Sequence, residues 1–260
     1  MNRPENDFKR RLVAGEQQVG VFTAIADASL VEVLAGWGFD WVLIDTEHTP
    51  VDVAGVADRL RVLDGTRTEA IVRPAWNDPV LVKRLLDVGA RTLLFPAVGT
   101  AEAAELAVRS TRYPPEGIRG VSSQTRAAGY GRNQGYLNGA AEQLCVIVQV
   151  ETAEGLSNLD AVATAAGVDA VFIGPSDLSA ALGHLGDPGH PDVRRAVDGA
   201  FARLAELGMP SGYMTTRLDD AKARLEQGVN FVGVATDTSI VNLGMASLEA
   251  ALGGRIGRAR

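Results

Sequence analysis

The sequence predicts an α/β fold, a (β/α)8 TIM barrel, and three observations carry that prediction. Eight short apolar runs alternate with stretches of helical periodicity along almost the whole chain. Five helical stretches stop at a glycine before the next run, at Trp37-Gly38, Val88-Gly89, Ala166-Gly167, Leu207-Gly208 and Gln227-Gly228. A glycine there supplies the left-handed residue that ends a helix. No Gly-x-Gly-x-x-Gly follows the first run. That weighs against the runner-up, an open doubly wound sheet around a dinucleotide.

The elements follow in order. Glu5–Ala14 reads as a short N-terminal helix suited to plug the barrel floor. The predicted strands are Val19–Ile25, Trp41–Asp45, Ala70–Pro74, Thr92–Val98, Cys145–Glu151, Ala170–Gly174, Met209–Thr215 and Asn230–Ala235. Each is the continuous apolar run expected of a strand buried on both faces. Between and after them lie helices at Leu30–Trp37, Val51–Leu63, Pro79–Val88, Ala101–Thr111, Leu156–Ala166, Pro191–Leu207, Leu218–Gln227 and Ile240–Leu252. The last carries the apolar stripe Ile240, Leu243, Met245, Leu248 and Leu252, which predicts a subunit interface, with packing on its own barrel as the plainer alternative. Arg112–Gln143 is a long connection with turn residues Pro114, Pro115, Gly117 and Gly120. Its Val121, Tyr130, Tyr136 and Leu137 predict a packed segment. No internal boundary is visible, so residues 1–260 are expected to form one barrel domain.

Composition excludes several classes of function. A net charge of −7 argues against nucleic acid or an anionic membrane as partner. No apolar run approaches the roughly 20 residues of a membrane span, and Met1–Asp7 lacks an apolar signal region. The single cysteine, Cys145, excludes an internal disulfide and fits a reducing cytoplasm. At the head of the fifth strand it reads as a small core residue rather than a nucleophile.

In such a barrel, catalytic groups come from the C-terminal ends of the strands. The second strand ends in Asp45-Thr46-Glu47-His48 and the third in Arg73. The fifth gives Gln149 and Glu151, two residues apart and so on one face, and the sixth opens into Gly174-Pro175-Ser176-Asp177. Glu151 and Asp177 lie one βα unit apart, and two carboxylates with an amide oxygen make a hard site. Such a site suits Mg²⁺ or Mn²⁺, or Co²⁺, better than zinc. Taken singly, each acid also reads as a helix-start residue, and Arg73 as an ion-pair partner of Asp45 or Glu47. Together, with His48 on the same rim, they read as a site. His184 and His190 read as surface or capping residues. The lysines, Lys9, Lys83 and Lys222, all fall in helical stretches, so no lysine is placed for imine chemistry.

At these residues the chain resembles the HpcH/HpaI family of metal-dependent, class II pyruvate aldolases. The matching motifs are Asp45-Thr46-Glu47-His48, Val72-Arg73-Pro74-Ala75-Trp76-Asn77, Leu94-Phe95-Pro96-Ala97-Val98, Arg112-Tyr113-Pro114-Pro115-Glu116-Gly117-Ile118-Arg119-Gly120, Gln149-Val150-Glu151-Thr152 and Phe172-Ile173-Gly174-Pro175-Ser176-Asp177-Leu178-Ser179. The resemblance implies reversible aldol chemistry between pyruvate, or a pyruvate-like 2-oxo acid such as hydroxypyruvate, and an aldehyde. It implies Glu151 and Asp177 as ligands of a divalent metal (Mg²⁺, Mn²⁺ or Co²⁺) that chelates the donor's keto and carboxylate oxygens. It implies Gln149 and the Ser176 backbone as donor contacts, Arg73 as the group balancing oxyanion charge, and His48 as the base. Asp87, in Leu85-Leu86-Asp87-Val88-Gly89, matches an aspartate that raises the histidine's basicity. It ends a helix on the opposite barrel face, so it would have to act from a neighbouring subunit. The implied assembly is a homo-oligomer, a hexamer with exchanged C-terminal helices. Two alternatives stand beside this reading: a citryl-CoA lyase-like enzyme on the same barrel, and a non-catalytic 2-oxo acid binding protein, against which His48 argues.

Overall fold

The computed structural model describes residues Glu5–Gly253. Its strands are β1 (Gln18–Thr23), β2 (Trp41–Asp45), β3 (Glu69–Arg73), β4 (Thr92–Phe95), β5 (Cys145–Val150), β6 (Ala170–Ile173), β7 (Ser211–Met214) and β8 (Phe231–Thr236). All pair in parallel in sequence order, and β8 returns to β1 to close the barrel. The helices are α1 (Asp7–Val13), α2 (Ala28–Gly36), α3 (Val53–Leu63), α4 (Pro79–Val88), α5 (Ala101–Thr111), α6 (Tyr136–Gly139), α7 (Ala153–Ser157), α8 (Leu159–Ala163), α9 (Pro175–Ala181), α10 (Pro191–Glu206), α11 (Leu218–Glu226) and α12 (Asp237–Ala251). None of the described helices is long and apolar enough to cross a membrane.

Side-chain alternation splits the core into two shells. On β5, Val146, Val148 and Val150 join the outer shell against the helices, while Cys145 and Ile147 point inward. The inner shell holds Trp41, Leu43, Ile71, Leu94, Phe172 and Phe231. Helix α1 closes it from below as predicted. Phe8 is fully buried and meets Phe231 edge-on at 5.3 Å. Asn6 pins the helix start by donating from Nδ2 to Thr92 Oγ1 at 3.0 Å.

Three departures from the predicted elements have local causes. The strand predicted as Thr92–Val98 stops at Phe95, because Pro96 has no N–H to donate and Ala97 takes a left-handed φ of 52°. The helix predicted as Leu156–Ala166 starts earlier, where Thr152 Oγ1 accepts from Gly155 N, and breaks into α7 and α8 at Asn158. The Asn158 amide leaves the helix to donate to the Gly99 carbonyl at 2.8 Å, a competition that weakens Asn in helix interiors. The predictions also lacked α9, a helix of seven residues that follows β6 at once. By contrast α4 and α5 keep their predicted bounds, and Gly89 ends α4 at φ 108°.

The 112–143 segment packs under its own barrel. Arg119 is fully buried against the Tyr113 ring and bonds Asp87 at 2.9 Å; Arg126 donates to the Val88 carbonyl and pairs with Asp64. Helix α12 does the opposite. Asp237, at its start, is buried and accepts from the Ala24 and Ile25 amides at 2.9 Å. Beyond that anchor Leu243, Met245, Leu248 and Leu252 are all more than half exposed. The plainer alternative, packing on its own barrel, does not hold for this stripe.

Candidate active site

The predicted residues gather at the C-terminal rim, with one exception. Arg73 closes β3 opposite Asp45 on β2. Its buried guanidinium forks onto that carboxylate, Nε to Oδ1 at 2.9 Å and Nη2 to Oδ2 at 2.8 Å. The remaining nitrogen, Nη1, stands 3.1 Å from Glu47 Oε2. His48 Nε2 lies 3.5 Å from the same oxygen, on a side chain 62% exposed. Glu47 Oε2 is buried, yet neither neighbour has the alignment of a hydrogen bond. Both readings of Arg73 therefore hold geometrically: two nitrogens are spent on Asp45, and the third faces the rim.

Across the mouth, Glu151 follows β5 and is nearly buried. Its Oε1 accepts from the Ala97 amide at 2.8 Å, and Gln149 Nε2 donates to its Oε2. The left-handed turn at Ala97 aims that amide at the carboxylate. Gln149 Oε1 is buried without a partner. Gly174 is dictated by this pair: a Cβ there would stand 2.5 Å from Glu151 Oε2 and 2.8 Å from Gln149 Nε2. Ser176 and Asp177 sit in the first turn of α9 and are exposed.

The electrostatics are unbalanced. Burial pushes the Glu151 carboxyl up to about 7; the Ala97 amide opposes the rise, and the charges of Asp177 and Glu47 add to it. Burial also raises Glu47, against the pull of Arg73 and His48. Burial works against the Arg73 cation, but Asp45 more than compensates and holds it charged. Three carboxylates, Asp45, Glu47 and Glu151, thus share one guanidinium, and the charge of Asp177 adds to theirs. Buried carboxylates with raised pKa mark places where charge has been kept for a purpose.

Asp87 is the exception. It lies at the end of α4 on the barrel floor, bonded to Arg119 of its own chain, and does not meet His48 within the chain. The sequence reading gave no role to Ala97 or Gly174. For both the signal was present, a proline ending an apolar run and a glycine opening the loop after β6, but only the packed rim shows what they serve.

Comparison with known proteins places the chain among its relatives. A hydroxypyruvate/pyruvate aldolase of Pseudomonas aeruginosa is 47% identical over 93% of this chain and 90% of its own. A 4-hydroxy-2-oxo-heptane-1,7-dioate aldolase of Shigella sonnei is 46% identical over 96% and 95%. The crystal structure of an HpcH/HpaI aldolase/citrate lyase family protein from Burkholderia cenocepacia superposes with a TM-score of 0.92, at 39% identity over 95% of this chain and 99% of that one. The family's sequence pattern runs through residues 18–242, from the first strand into α12, and so takes in every rim residue named above. This chain belongs to the HpcH/HpaI aldolase/citrate lyase family.

Proposed function

We propose that this chain is a divalent-metal-dependent aldolase, a carbon–carbon lyase that joins a pyruvate-like 2-oxo acid to an aldehyde and cleaves the product back. The observation that supports it best is the gathering of Glu151, Asp177 and Gln149 beside Arg73 at one rim, with no lysine among them. Lys9 bonds the Leu144 carbonyl on the floor, and Lys83 and Lys222 lie on α4 and α11.

The residues fit a hard cation. A raised Glu151, an unpartnered Gln149 Oε1 and nearby Asp177 are oxygen donors whose demands a divalent ion would meet. Glu151 and Asp177 would hold Mg²⁺, Mn²⁺ or Co²⁺, with Gln149 and the Ser176 backbone against the donor. When bound, the ion supplies a Lewis acid that draws electrons from the donor's keto group. His48, exposed at the rim, takes the donor's methyl proton as a neutral imidazole. Arg73 stays charged through the cycle because Asp45 holds it, and its Nη1 face balances negative charge arising on the donor oxygen. The test is direct. Exhaustive chelation should abolish pyruvate release from a 4-hydroxy-2-oxo acid, added Mg²⁺, Mn²⁺ or Co²⁺ should restore it, and borohydride should trap no imine. Full activity after chelation would sink the reading.

We further propose that Asp87 serves His48 of a neighbouring copy in a homo-oligomer, a hexamer. Its place on the floor leaves no other route, and the exposed stripe of α12 supplies a surface for assembly. Mixing two inactive variants, His48→Ala and Asp87→Asn, should regenerate part of the activity as subunits exchange. No recovery, or a fully active monomer in sedimentation, would refute it.

A further inference from the structure

The loop between α9 and α10 brings together three side chains that the aldol site does not use. Among the described residues, His184, His190 and Asp192 form the group of three ligand-type residues whose donor atoms lie within 4.8 Å of one another. The sequence treats the two histidines as surface or capping residues. His190 does cap α10, accepting at Nδ1 from the Asp192 amide at a long 3.2 Å. The cap does not explain His184. Two successive backbone turns, Asp187 N to His184 O at 2.9 Å and His190 N to Asp187 O at 3.1 Å, fold the loop so that the rings meet. They stack with centroids 3.5 Å apart and planes 15° from parallel. The Asp192 carboxylate divides its oxygens. Oδ1 pairs with Arg195, while Oδ2 turns to the rings, 3.4 Å from His184 Nε2 and 3.7 Å from His190 Nδ1.

We propose that His184, His190 and Asp192 form a second metal site, for a borderline divalent ion such as Zn²⁺ or Co²⁺, that clips this loop beside the catalytic rim. The spacing fits. An ion about 2.1 Å from each ligand at a roughly tetrahedral angle separates the ligand atoms by about 3.4 Å. The donor set fixes the class of ion, since two imidazoles and one carboxylate favour Zn²⁺, Co²⁺, Ni²⁺ or Cu²⁺, whereas the oxygen donors at Glu151 and Asp177 favour Mg²⁺ and Mn²⁺. Binding requires one movement. Parallel rings cannot aim both lone pairs at one point, so each imidazole turns about χ2 and the stack opens. His190 gives up its long cap bond if it binds through Nδ1. The remaining positions on the ion face water, because Asp192 and the rings are partly exposed. The loop, through Pro188 and Gly189, walls a cavity of about 170 Å³ that shares only Ser176 with the aldol residues, so an ion here would stiffen a neighbour of that site without touching its ligands.

The site is tested on the full chain with Zn²⁺ and Co²⁺ as probes, independently of turnover. Metal-free wild-type protein should bind two Co²⁺ per chain in equilibrium dialysis, and His184→Ala one. Glu151→Gln should lose the other ion and keep this one, so failure of the aldolase reading and failure of this one give different counts. Mg²⁺ should bind at one site only. In the unaltered protein, Zn²⁺ should shift the ring resonances of His184 and His190 together and dissolve their mutual ring-current effect. Equal Co²⁺ counts in wild type and a folded His184→Ala, or unmoved ring resonances at saturating Zn²⁺, would overturn the site.

Discussion

At the floor of the barrel Lys9 meets Asp169 at 3.1 Å, Arg91 meets Glu69 at 3.0 Å, Arg119 meets Asp87 at 2.9 Å, and Arg126 pairs with Asp64. At the mouth Asp45, Glu47 and Glu151 share a single guanidinium, that of Arg73, with the charge of Asp177 felt by both glutamates. Both ends carry partly buried charge, and the floor even holds a cavity of about 340 Å³ lined by Leu60, Arg126 and Tyr130. The difference is in how the charge is matched. On the floor each of these four acids has its base, although Arg119 Nε and Nη1 are buried without a hydrogen-bond partner. At the mouth negative charge is in excess: Glu47 shares Arg73 with Asp45, Glu151 makes hydrogen bonds but no ion pair among the described residues, and burial lifts both carboxyls. Carboxylates each matched by a base hold the fold together; buried carboxylates in excess of their cations mark a place for a ligand.

The largest expected effect breaks the mouth at its one cation. Arg73→Ala leaves the buried Asp45 and the half-buried Glu47 without their partner, which should cost about 3–5 kcal/mol of stability. It should also lower kcat by roughly 100-fold or more, the scale of deleting one oxyanion donor. Arg73→Lys separates the two effects. A lysine keeps the charge but cannot fork onto Asp45 and reach Glu47 at once. Methyl-proton exchange of pyruvate at the wild-type rate in Arg73→Lys would remove the guanidinium from the chemistry.

Next in size is a purely structural break on the floor. Phe8→Ala deletes a fully buried ring from the inner shell beneath Phe231. The expected cost is about 3–5 kcal/mol, a fall in Tm of roughly 10 °C for a chain of this size. Turnover per folded molecule at low temperature should be unchanged, because α1 lies at the far end from the rim. A loss of kcat without a loss of Tm would contradict the division between the two ends.

Much of this contrast was legible in the sequence, and the part that was not has a physical reason. Continuous apolar runs, helical periodicity and glycine stops are local signals, and together they located all eight strands and bounded α4 and α5 to the residue. The rim residues were legible because chain order equals strand order in a barrel, so a strand's last residues must face one mouth. Ala97 and Gly174 were not, since their roles depend on a backbone amide and an absent Cβ meeting Glu151 from other strands. Asn158 broke a helix by bonding Gly99, 59 residues away, which no window around Asn158 contains. The stacking of His184 on His190 was hidden for a related reason: two tight turns, not periodicity, bring them together.

The smallest effect gives the sharpest view of the mouth, because its sign is opposite to that of an ordinary stabilising acid. The Glu151 carboxyl, normally near 4.5, is pushed up to about 7 in the fold, chiefly by burial. Below pH 4.5 it is protonated in both the folded and unfolded chain and contributes no pH dependence. Between 4.5 and 7 the unfolded chain releases its proton while the folded chain keeps it, so the folded state binds more protons and its stability falls as pH rises. Above 7 both are ionised, and the accumulated loss levels off at about 3 kcal/mol. Paired carboxylates elsewhere, such as Asp160 beside Arg203, have the reverse slope, so the bare pH profile mixes the two. Subtracting the profile of Glu151→Gln isolates the site. In metal-free protein, the wild-type minus Glu151→Gln difference from denaturant unfolding should fall across pH 4.5–7. Saturating Mg²⁺ at neutral pH should recover it in wild type alone, since the ion needs the ionised carboxylate. A flat or rising difference curve in metal-free protein would mean that burial does not lift Glu151, and the contrast between the two ends would fail at its central residue.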